Sequence, residues 1–169
     1  IFLSLALHLI WIGYTNYTEE DAFITFRFAG QIAAGNGFVY NPGEPIYGST
    51  TPLLTLLLAG WLKFISTDVV TGARILNLVA VALMFVFSWQ ALKALKFSVT
   101  EQVFILLVLL ASTKLTYMNT QGMETPLGLC LLAASWYFWL KERFNIVGVL
   151  CGLLLWVRID PLLWPLVLV

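Results

Sequence analysis

Residues 69–95 read VVTGARILNLVAVALMFVFSWQALKAL. The run exceeds the roughly 20 apolar residues that carry a helix across a bilayer. Arg74 stands near its start, and Lys93 and Lys96 mark its end. Read outward from it, the same grammar recurs. Residues 99–115 form the next apolar span and 116–125 a short polar connection. Residues 126–140 span back and end in Lys141-Glu142-Arg143. Residues 146–157 are a short span closing on Arg158-Ile159-Asp160. Pro161 then opens a further helix over 161–169, since proline is tolerated in a first turn. Upstream, residues 1–14 read as the end of a first spanning helix, with Trp11 and Tyr14 suited to the interface. The expected fold is all-α, a polytopic transmembrane helical bundle with a helical first external loop over 15–68.

Composition supports that class. The chain is 60% hydrophobic with charged residues at 11%, and its mean hydropathy is +0.90. Soluble domains carry about 25% charged residues, and a soluble globule built from this chain would lack polar surface to cover itself. The formal net charge of +0 points away from nucleic acid. Cys130 and Cys151 lie inside apolar runs and read as small buried hydrophobes. The chain opens without Met and closes in an apolar run, so it is expected to be the N-terminal part of a longer protein. No small-residue cleavage site follows the first helix, which is expected to stay uncleaved.

Basic residues orient the spans. Lys93/Lys96 and Lys141/Arg143 are two spans apart, so they share one side, and the positive-inside rule makes that side cytoplasmic. The polar insert 15–51, the connection 116–125 and the Arg158/Asp160 pair then converge on the outer face. This holds provided residues 52–65 do not cross. That segment is apolar and carries Lys63, but is too short to span. It reads as a helix in the interface, re-entrant, or packed on the bundle.

Within the insert, Thr18 is positioned to cap a helix whose first turn holds Glu19, Glu20 and Asp21. That helix would run to about Ala34, with Gly35 as its stop. Asn41-Pro42-Gly43 suits a type II turn. The three acids have two readings: ordinary charges on a helix N-terminus, or a water-facing site at a membrane surface.

A family likeness bears on that choice. Glu20-Asp21-Ala22-Phe23-Ile24-Thr25-Phe26-Arg27-Phe28-Ala29 resembles the D-D-A-F/Y-I-S/T-F/Y-R-Y/F-A element of GT-C glycosyltransferases. Gly35-Asn36-Gly37-Phe38-Val39-Tyr40-Asn41-Pro42-Gly43-Glu44 resembles the G-x-G-L/F-V-Y/F-N-P-G-E that follows it. Tyr47-Gly48-Ser49-Thr50-Thr51-Pro52-Leu53 is similar to E-G-Y/S-T-x-x-L, and Gly122-Met123-Glu124-Thr125-Pro126-Leu127 to G-L/M-E-T-P-L. Arg158-Ile159-Asp160-Pro161 is similar to R-P-D/E-G, without the usual Pro and Gly positions. These elements follow this order in bacterial polyprenyl-phosphate-sugar-dependent transferases. They include the mycobacterial terminal arabinofuranosyltransferase branch, with protein O-mannosyltransferases as wider kin. The likeness covers nearly the whole chain; the usual aspartate pair is Glu20-Asp21 here.

The resemblance implies transfer of a sugar from a polyprenyl-phosphate donor to an acceptor hydroxyl, on the extracytoplasmic side of a bacterial plasma membrane. The acceptor would be a glycan, lipid or protein. Asp21 maps to the catalytic carboxylate and would serve as general base. Arg27, Arg74 and Arg158 are candidates for the phosphate, because guanidinium binds its oxygens bidentately. Glu20, Glu124 and Asp160 would position hydroxyls. Each has a plainer reading: Glu124 as a charge on a helix start, Arg158 and Asp160 as a mutual ion pair, Arg74 as a snorkelling side chain. Trp61 would be an interface anchor or a sugar platform. No cofactor and no obligate metal is expected, although some relatives use a divalent cation near such acids. The only histidine, His8, sits within the first helix. The competing readings are a transporter or lipid flippase, and a non-catalytic membrane scaffold. Transporters favour broken helices and internal repeats, and the sequence displays neither.

Overall fold

A computed structural model describes residues 2–44 and 48–158. Asp160, Tyr47 and the helix expected over 161–169 lie outside the described residues. Among those described, the fold is all-helical, with eight helices and no strand beyond an isolated bridge between Asn41 and Glu44. The helices are α1 (Phe2–Thr15), α2 (Glu20–Ala33), α3 (Pro52–Phe64), α4 (Val69–Ala94), α5 (Val99–Ala111), α6 (Thr113–Thr120), α7 (Thr125–Leu140) and α8 (Phe144–Val157).

The long helix α4 is the hub. Asp68 caps it, its carboxylate accepting from the Thr71 amide at 3.1 Å and the Thr71 hydroxyl at 2.6 Å. α7 lies along α4, burying Ala80, Val81, Met84 and Phe85 against Cys130. α8 packs on α7 through Leu131, Leu154 and Val157. α2 and α3 form a pair that buries Ala22, Phe26, Leu54 and Leu58 together with Ala73 of α4. α1 packs on α6 and α4. Gly72 of α4 is required by close approach: a Cβ there would lie 2.6 Å from Cδ1 of Trp61. The Trp61 indole donates instead to the Asp68 carbonyl at 3.0 Å. Residues 52–65 thus form a helix packed on the bundle.

Several boundaries differ from those read in the sequence. α2 starts at Glu20, with extended Glu19 as N-cap and no side-chain cap. Thr18 does not cap it, because its hydroxyl accepts from Arg74 and the Glu19 amide donates to the Gln121 carbonyl. The far end behaves as expected. The Gly35 amide donates to Ile32 and the Asn36 amide to Gln31, with Gly35 at φ +84°, the paired bonds of a Schellman stop. Asn41-Pro42-Gly43-Glu44 closes with the Glu44 amide on the Asn41 carbonyl and Gly43 at φ +85°, which suits type II.

The expected span 99–115 is broken. Ser112 ends α5, and its hydroxyl accepts from the Leu115 amide to cap α6. The two helices bend by 64°. A serine that offers its hydroxyl to the next turn competes with continuation of the helix. Part of the expected connection 116–125 is therefore helical. Among the described residues, α4 alone is long and apolar enough to cross a bilayer; α5 and α6 would add a second span only if counted as one. α7 has 16 residues and α8 has 14, below the roughly 20 of a straight crossing.

Candidate functional site

The start of α2 is docked on the turn between α6 and α7. The Glu19 amide bonds the Gln121 carbonyl at 3.1 Å. Gly122, at φ +83°, lies so close to α2 that a Cβ would meet Phe26 Cζ at 3.2 Å and Thr18 Cγ2 at 3.5 Å. Arg74 reaches across from α4 to the Thr18 hydroxyl at 3.5 Å. Its Nε is buried without a hydrogen-bond partner. Arg74 is thereby held beside the first turn of α2 by one long bond, which leaves most of its donor capacity unassigned. Glu20 and Asp21 are exposed on that turn. Tyr17 stacks on Tyr117, with ring centroids 6.3 Å apart, and its hydroxyl donates to Glu19 at 3.3 Å. Desolvation, then the Glu19 charge, raise its phenol pKa.

Glu124 is 2% exposed and stands at the N-terminus of α7 without capping it. Its Oε1 accepts from Arg158 Nη1 at 2.9 Å, the shortest link between the two halves of the site. Its Oε2 is buried and unpartnered. A buried carboxylate in apolar surroundings requires a counter-charge, and the half-exposed Arg158 supplies it. The two residues sit in a cleft of about 280 Å³ whose remaining walls include Gly128, Leu129, Leu132 and Val157. An ion pair on an otherwise apolar cleft suits an amphiphile with an anionic head.

The sequence candidates therefore divide. Glu20, Asp21 and Arg74 gather with the turn that leads to Glu124, and Glu124 pairs with Arg158. Arg27 is committed elsewhere. Its Nε donates to the Tyr40 carbonyl at 3.1 Å and its Nη2 to Asn41 Oδ1 at 3.2 Å. It also lines a different cleft from Arg158.

Sequence reasoning missed a buried polar layer. His8 is 2% exposed. Its Nδ1 lies 2.7 Å from the Ser4 carbonyl and its Nε2 3.2 Å from Asn119 Nδ2. A carbonyl only accepts, so Nδ1 carries the proton and Nε2 accepts from the amide. Asn77, one turn beyond Arg74, and Gln121 are also buried with unpartnered amide nitrogens. These residues are single polar letters within or beside apolar runs. Only the packing of α1 on α6 brings the first pair together. No known protein family, curated protein or solved structure matches this chain.

Proposed function

We propose that the protein is a polytopic membrane glycosyltransferase of GT-C type that moves a sugar from a polyprenyl-phosphate donor to an acceptor hydroxyl at the outer membrane face. The observation that carries this reading is the docking of the acidic first turn of α2 on the turn that bears Glu124, with Arg74 and Arg158 at its two sides. A transferase of this kind needs a base, cations for a leaving phosphate, and room for a lipid. Asp21 takes the proton of the acceptor hydroxyl as its oxygen bonds the anomeric carbon. The bond from that carbon to the phosphate oxygen breaks, and the lipid phosphate leaves with the electron pair. Arg74 and Arg158 stabilise its charge, and the cleft beside Arg158 takes the first part of the lipid. The displacement is single and inverting. Glu20, Glu124 and Asp160 orient hydroxyls, and no step calls on a cofactor.

The membrane setting is supported by the composition and by bulky apolar side chains on the outside of the bundle. Ile10 is 67% exposed, Phe104 67% and Val149 64%. In water such a surface invites association; in lipid it is at rest. Because α2 binds the α6–α7 turn, the insert and Glu124 share one side.

The test compares wild type with Asp21→Asn, using full-length protein in membranes supplied with polyprenyl-phosphate sugars. A folded variant slowed by at least about a hundredfold fits loss of a general base. Equal transfer by both would remove Asp21 from the mechanism. The bend at Ser112 favours a second reading, a lipid flippase, since broken helices are common in transporters. Movement of lipid across the bilayer without any sugar transfer would establish that reading instead.

A further inference from the structure

A second cleft lies on the opposite end of α2 from Asp21. Its volume is about 410 Å³, and Phe26, Arg27, Gly30, Gln31, Leu62 and Thr67 line it. It differs in character from the cleft at Arg158, whose walls are apolar below one ion pair. Here a guanidinium, an amide and a hydroxyl alternate with apolar walls.

The polar groups are fixed before any ligand arrives. Arg27 is clamped by the Tyr40 carbonyl and Asn41, and its guanidinium carbon lies 5.9 Å from the Tyr40 ring centroid. Its Nη1 has no protein partner among the described residues. Gln31 is nine-tenths buried, and its Oε1 accepts from Asn36 Nδ2 at 2.7 Å. That bond settles which end of the amide points where, and leaves Nε2 as an unassigned donor. Gly30 adds no side chain, and a Cβ there would meet nothing within 4 Å.

We propose that this cleft holds the acceptor, and that the acceptor is an uncharged oligosaccharide chain. The proposal rests on the transferase reading and deepens it. Planar donors match ring hydroxyls, Thr67 both gives and accepts, and Phe26 and Leu62 offer apolar surface to the C–H faces of sugar rings. A lipid acceptor would leave Arg27 and Gln31 unsatisfied. An anionic ligand would call for more than one cation, and Arg27 is the only charged side chain of the lining. Gln31 lies ten residues along the helix from Asp21, about 15 Å at 1.5 Å per residue. A single sugar cannot occupy the cleft and meet Asp21, so a chain is required.

The experiment uses full-length protein in lipid nanodiscs, with short and long neutral oligo-arabinofuranosides and oligo-mannosides as probes. Gly30→Phe fills the cleft from open space and improves helix propensity, so the fold is retained. Gln31→Ala is the second variant, removing the donor without adding bulk. Wild type is expected to bind long chains better than short ones. Either variant is expected to weaken long-chain binding by about tenfold, with affinity for the polyprenyl-phosphate sugar unchanged. Long-chain binding unaffected by both variants, or absent in wild type, overturns the acceptor cleft. Transfer to some other acceptor would then leave the transferase reading standing. Binding of the chain that both variants weaken, without any sugar transfer, upholds the cleft as a glycan site and removes the transferase reading. Tighter binding of inorganic phosphate than of the neutral chain, lost in Gly30→Phe, overturns it in favour of an anion site.

Discussion

Glu124 and Arg158 form an ion pair whose two members live in different solvents. Glu124 is almost fully buried, whereas half of the Arg158 side chain meets the surface. Removing either therefore has unequal consequences. Arg158→Ala leaves a carboxylate buried without its counter-charge, a loss of about 3–5 kcal/mol when one partner of a buried pair is deleted. Glu124→Gln leaves a guanidinium that water can reach, so the cost is nearer the roughly 1.5–3 kcal/mol of a charged hydrogen bond. Thermal unfolding in detergent or nanodiscs is expected to rank Arg158→Ala below Glu124→Gln, and the reverse order would refute the burial argument. The motif containing Glu124 was legible in the sequence. Its partner was not, because Asp160, two residues away, competed with Glu124, which stands 34 positions off. Proximity in the chain is a weak guide where a charge must find its partner across two packed helices.

At the scale of elements, the start of α4 carries two testable features. Asp68 caps it, and its pKa is lowered, first by the Thr71 hydroxyl bond and then by the Thr71 amide. A depressed folded pKa means the cap contributes above the ordinary aspartate range. That contribution is lost as pH falls through the lower folded value. Asp68→Ala is therefore expected to destabilise the protein at neutral pH, with the gap to wild type narrowing under acid. A gap independent of pH would show that the carboxylate charge is not what matters. One turn later, Gly72 faces Trp61. Gly72→Ala gains about 1 kcal/mol of helix propensity, but its Cβ would lie 2.6 Å from the indole. Overpacking of this kind costs roughly 1–3 kcal/mol, so a net loss is expected. Adding Trp61→Leu should recover it, since neighbouring sites couple; additive losses in the double variant would contradict the contact. Helix α4 itself was plain from its apolar run. The break at Ser112 was not, because the residues on both sides keep an apolar pattern and only the hydroxyl bond to Leu115 ends the helix.

At the scale of the whole molecule, the bond between the Glu19 amide and the Gln121 carbonyl ties the insert to the α6–α7 turn. In a membrane these two must lie on one side, with Lys96 and Glu142 at the opposite ends of their helices. Single cysteines at Asn36, Lys96 and Glu142, in a background without Cys130 and Cys151, are expected to separate accordingly. A membrane-impermeant thiol reagent applied from outside should label Asn36→Cys alone. Labelling at all three positions would refute the bundle orientation. The short lengths of α7 and α8 make this measurement the decisive one for the membrane reading.

The sequence alone determined the helical class, the stop at Gly35, the turn at Asn41–Glu44 and the acidic stretch worth attention. These rest on local physics: apolar runs, left-handed positions that glycine tolerates, and turn residues in fixed order. Tertiary structure alone decided which polar groups meet. It turned Arg27 toward the insert, brought Arg74 to Thr18, joined Glu124 to Arg158 and placed His8 on Asn119. Such contacts join residues far apart in the chain, and in an apolar bundle each buried polar group is held wherever packing offers a partner.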